Sequence, residues 1–142
     1  MGPEDWALPD DWINPFGLCE EVKEMPEVLG VFPTGSFFIC YPQVVDTDKD
    51  FVVKVTDLGA AEPALLSKGY KVSVCDREEY DLQAEGGFQT FRKEDINLIV
   101  TEDETFFSKF VDATLLAKEL NLLKKEDRIT LFQYVLYGKI VE

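Results

Sequence analysis

Histidine is absent from this 142-residue chain. That removes Ser-His-Asp and Cys-His catalysis, histidine-ligated metals and imidazole proton shuttles. Cysteine is sparse as well. Cys19, Cys40 and Cys75 are odd in number and widely spaced, and no Cys-x-x-Cys occurs. A structural zinc site is therefore not expected, and the thiols read as buried and reduced. No apolar run approaches the roughly 18 residues that a membrane span needs, so no membrane segment is expected. Met1 to Asp5 shows no basic region followed by an apolar one, so no signal peptide is expected. Trp6 stands where a myristoylation signal needs Ser or Thr. These absences point to a cytoplasmic protein. They leave carboxylates, Lys, Arg, Tyr, Ser and Cys to carry any chemistry.

Positive charge is also scarce. Against 28 Asp and Glu stand 14 Lys and Arg, a net charge of −14. Such a field repels nucleic acid unless a local basic patch outweighs it, so generic nucleic-acid binding is disfavoured. A small substrate carried with a metal, or a basic protein partner, fits better. Apolar residues are plentiful at 46%, and 11 Phe are available to fill a core. The length suits one domain over residues 1–142 with one sizeable core.

Along the chain, residues 1–15 form an N-terminal arm with Pro3, Pro9 and Pro15, expected to pack through Trp6 and Trp12. Asn14-Pro15 reads as an N-cap followed by proline at the first helical position. The helix that follows is expected to run to about Met25, with Leu18, Cys19 and Val22 inward and Pro26 ending it. Val28 to Tyr41 reads as a strand, a tight turn at Pro33-Thr34-Gly35-Ser36, and then extended or short helical chain. Strands are expected over 51–55, 70–74, 88–92 and 96–100, and a short helix over 60–68. Residues 76–87 read as a charged loop closed by Gly86-Gly87. Asp103 or Thr105 is placed to cap a helix over 104–120, with Phe106, Phe110, Ala113, Ala117 and Leu120 on one stripe. A last helix is expected over 125–137, with Ile129, Phe132 and Leu136 inward and Gly138 ending it. Residues 103–138 thus form a helical C-terminal tail. Strands preceding helices give α+β, with a small mixed or antiparallel sheet and flanking helices.

Chemistry centres on Asp46-Thr47-Asp48-Lys49-Asp50. Residues at i and i+2 of a strand point the same way, so Asp48 and Asp50 share one face, with Phe51 and Val53 on the other. Two adjacent carboxylates repel, and a divalent cation between them keeps both ionised. Oxygen-only ligands suit Mg²⁺ or Mn²⁺. Asp46 lies outside the apolar run and is flanking. Gly35-Ser36, a dozen or so residues earlier, offers a turn whose backbone N–H groups can hold a phosphate chain. Asp95 opens a further apolar strand, and alternation puts Asp95, Asn97 and Ile99 on one face. If that strand is adjacent, Asp95 joins the pair, giving three carboxylates for two metals. Arg92 and Lys93 precede it, where a triphosphate needs positive charge. Taken alone, the acidic segment also reads as a solvated turn.

Together these residues resemble the DNA polymerase beta-like nucleotidyltransferase superfamily. That family carries a hydrophobic-Gly-Ser turn, then Asp-x-Asp at the head of a strand, then a third carboxylate on a neighbouring strand. Here the match reads Thr34-Gly35-Ser36, then Asp48-Lys49-Asp50-Phe51-Val52-Val53, then Asp95-Ile96-Asn97-Leu98-Ile99. It spans about residues 28–137. The stretch from Arg92 to Val100 and the helical tail also look like small nucleotidyltransferase-like proteins of tailed bacteriophages. Lys49 stands where the family usually has an apolar residue, and Phe37-Phe38 follow Ser36 where Arg is frequent. The resemblance implies an Mg²⁺-dependent (or Mn²⁺-dependent) transfer of a nucleoside monophosphate from a nucleoside triphosphate to a hydroxyl. Asp48, Asp50 and Asp95 would be catalytic and hold the metal. Gly35 and Ser36 would grip the phosphates, and Arg92 or Lys93 would neutralise the leaving pyrophosphate. The acceptor is open, a protein among the options. The alternative is an acidic phage-type protein that keeps the fold and inhibits a basic host protein in the host cytoplasm.

Overall fold

A computed structural model describes residues 12–73 and 88–138. Residues 1–11 with Trp6, the loop 76–87 and Cys75 lie outside the described residues.

The chain enters through a 3₁₀ turn, Pro15–Gly17, and a one-turn helix, α1 (Glu20–Lys23). The Asn14 side chain accepts from Phe16 N, as its cap position suggested. A continuous helix from Pro15 to Met25 does not form. The capped turn closes after Gly17, leaving Leu18 at the surface while Cys19 and Val22 are buried. Trp12 does pack: it stacks near Tyr41, and the Lys118 ammonium lies 3.8 Å from its ring centroid. Burial lowers the Lys118 pKa to about 8, while the ring face attracts the cation.

Strand β1 (Val28–Thr34) leads directly into α2 (Gly35–Ile39), and β2 (Lys49–Val55) follows. Next come α3 (Leu58–Ser67), β3 (Lys71–Ser73), β4 (Phe88–Lys93) and β5 (Ile96–Thr101). Two helices close the chain, α4 (Glu104–Leu120) and α5 (Lys125–Tyr137). The sheet order is β1-β2-β5-β4-β3. Among the described residues the β2–β5 pair is parallel, and the β1–β2, β3–β4 and β4–β5 pairs are antiparallel. The class is α+β with a mixed sheet.

Alternation along β2 and β5 builds two cores. Phe51, Val53, Leu98 and Val100 face one side, packed with Val22 of α1 and Leu65 of α3. Val52 and Ile99 face the other side, with Phe38 of α2, Phe110 of α4 and Phe132 of α5. The Asp103 side chain caps α4 by accepting from Thr105 N at 2.8 Å and Phe106 N at 3.2 Å. Such a cap is worth about 1 kcal/mol. The stripe Phe106, Phe110, Ala113 and Ala117 is buried as its spacing required. Leu120, one turn later, is exposed, because the helix ends there and Asn121 turns left-handed. Buried Thr34 and Thr114 join hydroxyls at 2.7 Å, tying the end of β1 to α4. Among the described residues no helix is long and apolar enough to cross a membrane.

Candidate functional site

The end of β1 lies beside the start of β2. Thr34 pairs with Asp50, so Gly35 emerges next to the Asp50 carboxylate. Gly35 turns with φ +77°, and a Cβ added there would stand 2.3 Å from Asp50 Oδ2. Only glycine fits both the conformation and the gap. Ser36 follows in the first turn of α2, its hydroxyl 3.3 Å from that of Thr47. The sequence thus brings Gly35, Ser36, Asp48 and Asp50 together from one antiparallel pair and its turns.

On the other side of β2, the parallel register sets Asp50 beside Asn97. Asn97 Nδ2 donates to Asp50 Oδ1 at 3.0 Å and to Asp48 Oδ2 at 3.2 Å. Arg92 of β4 is paired with Asn97 in the antiparallel register. Its guanidinium grips both oxygens of Asp48, at 2.8 and 3.1 Å, and also donates to Asn97 Oδ1 at 2.9 Å. The Asp48 carboxyl consequently sits below the usual carboxylate range: the Arg92 hydrogen bond is the main cause, and partial burial opposes it. The same pairing raises Arg92.

This network lines a cavity of about 510 Å³ on the α4–α5 side of the sheet. Ile39, Ile99, Ile129 and Phe132 give it an apolar lining. Lys125 and Arg128 of α5 also line it. Arg128 directs one nitrogen to the carbonyls of Leu122 and Leu123, at 3.0 and 2.9 Å, which fastens the α4–α5 turn.

Two of the residues expected here stand elsewhere. Asp95 does not join the aspartate pair. It lies in the two-residue turn between β4 and β5, after Glu94 at φ 55°, so strand alternation does not govern it. Its carboxylate meets Lys49 Nζ at 2.9 Å, and this contact lowers its pKa. Lys49 also donates to Val45 O and lies 5.0 Å from the Phe37 ring centroid. Lys93 points to the opposite face from Arg92, as adjacent strand residues must. It pairs with Glu21 at 3.2 Å, over the Tyr70 ring. In the slot beside Asp50 stands Asn97, which sequence reasoning placed on a face with Asp95 without giving it a role. Counting back from buried Ile99 by twos identifies it. The α5 contribution had no signal, because the fold alone brings that helix over the sheet.

The donor set fits one hard divalent cation. Mg²⁺ is commonly held by one or two carboxylates plus substrate phosphates and water. Asp48 and Asp50 supply such a pair, joined through the Asn97 amide. A three-carboxylate set for two ions is not assembled, and among the described residues no group of three His, Cys, Asp or Glu converges.

No protein-family model matches the chain. No curated protein matches it either. Among solved structures it is distantly similar to the conserved protein GrpB from Enterococcus faecalis, at 14% identity and a TM-score of 0.43. The alignment covers 83% of this chain and 86% of that one.

Proposed function

We propose that the cavity binds a nucleoside triphosphate with Mg²⁺ and transfers its nucleoside monophosphate to a hydroxyl acceptor. The observation that carries this reading is the juxtaposition of Asp48 and Asp50, joined through Asn97, with the Gly35-Ser36 turn packed directly against Asp50. Asp48 and Asp50 hold the cation. When bound, it offsets phosphate charge and makes the attacking hydroxyl more acidic. Ser36 donates its hydroxyl to a phosphate oxygen. Arg92 neutralises charge on the departing pyrophosphate, its planar fork matching phosphate as it matches carboxylate.

Calorimetric titration with a non-hydrolysable nucleoside triphosphate and Mg²⁺ tests this. Wild type is expected to bind, and Asp50→Asn is expected to lose about tenfold or more in affinity. Equal binding by both proteins would remove Asp50 from the site.

A second reading is favoured by the placement of Asp95. With that carboxylate committed to Lys49, the chain can be a non-catalytic acidic protein that keeps the fold and occupies a basic host protein. Its net charge of −14 suits that role. The same titration separates the two, since failure of wild type to bind any nucleoside triphosphate favours the second.

A further inference from the structure

We propose that Arg92 is the resident cation of this site: it occupies Asp48 while no metal is bound, competes with an arriving divalent cation, and passes to the substrate phosphates. The inference rests on the nucleotidyltransferase reading and adds to it a role for the Arg92–Asp48 pair in metal binding.

The geometry is specific. Arg92 Nη1 and Nη2 take the two oxygens of Asp48 at 3.1 and 2.8 Å, the bidentate arrangement of a carboxylate–guanidinium pair. Asn97 Nδ2 adds a third donor to Asp48 at 3.2 Å. The in-plane lone pairs that a metal needs are therefore engaged. Arg92 Nη1 also donates to Asn97 Oδ1 at 2.9 Å, which turns the amide so that its nitrogen faces both carboxylates. One positive charge and one amide thus offset the repulsion between the two carboxylates and keep them side by side.

The latch is built to open. The side chains of Arg92 and Asp48 are 44% and 43% exposed. Exposed ion pairs are weak, so a doubly charged cation displaces the guanidinium readily. Register fixes the Arg92 backbone opposite Asn97, so release needs only side-chain rotation. The freed guanidinium stays at the rim of the cavity, where triphosphate oxygens present the same bidentate acceptor geometry as Asp48.

The experiment uses the full chain with Mn²⁺ alone, then inorganic triphosphate at saturating Mn²⁺, on wild type, Arg92→Gln and Arg92→Lys. Thermal melts establish that each variant folds. Arg92→Gln is expected to bind Mn²⁺ roughly twofold to fivefold more tightly than wild type, and triphosphate weaker by a similar factor. Arg92→Lys, with charge but no fork, should fall between. If wild type binds Mn²⁺ and Arg92→Gln binds it equally or less tightly, the latch is refuted while the metal-site reading stands. Unchanged triphosphate binding in Arg92→Gln refutes the hand-over to phosphate. Absence of Mn²⁺ binding by wild type and Arg92→Gln alike overturns the latch together with the reading beneath it.

Discussion

Phe110→Ala is expected to cost about 3–5 kcal/mol of folding stability, the range for deleting a fully buried aromatic side chain. Phe110 is 0% exposed. Its ring centroid lies 4.9 Å from that of Phe132 and 5.7 Å from that of Phe106. It therefore joins α4 to α5 while both pack on Val52 and Ile99 of the sheet. Few rotamers of the neighbours can refill a hole shared by three elements, so the cavity penalty adds to the lost transfer energy. Native domains hold only about 5–15 kcal/mol in total, so the variant should be near its unfolding threshold. Urea denaturation reads this directly. A loss below about 1 kcal/mol would mean that α5 does not pack on α4 as described. The site depends on the same contact, since α5 supplies the cavity wall at Ile129 and Phe132.

Gly35→Ala is expected to damage stability and site at once. The left-handed backbone at φ +77° costs a non-glycine residue about 1–2 kcal/mol. The new Cβ would also stand 2.3 Å from Asp50 Oδ2, 3.0 Å from Cγ and 3.1 Å from Cβ. The side chain cannot yield by its tip alone, because all three atoms crowd the methyl. Overpacking of this kind adds about 1–3 kcal/mol. Moving Asp50 breaks its bond to Asn97 Nδ2 and pulls the carboxylate pair apart. In an Asp50→Ala background the methyl has room, so the cost of Gly35→Ala should fall to the backbone part. A double-mutant cycle by chemical denaturation should therefore show coupling, of about 0.5–3 kcal/mol. Additive losses would mean that Gly35 does not abut Asp50.

Much of the fold was legible because local chemistry decides it. The apolar run Phe51 to Val55 could only be a buried strand, and its parity put Asp48 and Asp50 on one side. Asp103 before an amphipathic run announced the start of α4. Misreadings fall where alternation was carried past the end of a strand, or not applied. Alternation carried back from β5 takes in Asp95, but the β4–β5 connection is only Glu94 and Asp95, so the turn sets its direction. Charge alone does not separate Arg92 from Lys93, but neighbours on a strand face opposite ways. The helix expected from Pro15 to Met25 broke because a proline and an N-cap specify where a turn begins, not how far it runs. What no local pattern holds is register between distant strands. That Asp50 meets Asn97, 47 positions away, follows from the parallel β2–β5 pairing. That pairing exists because both strands bury both faces in the two cores.

Transfer of label from an α-labelled nucleoside triphosphate, with Mg²⁺ and cell extract as the source of acceptor, tests the proposed activity most directly. Wild type is predicted to label an acceptor with at least one nucleotide. Asp50→Ala, folded by thermal melt, is predicted to label none. Labelling that persists in Asp50→Ala, or no labelling by wild type with any of the nucleoside triphosphates, would contradict it.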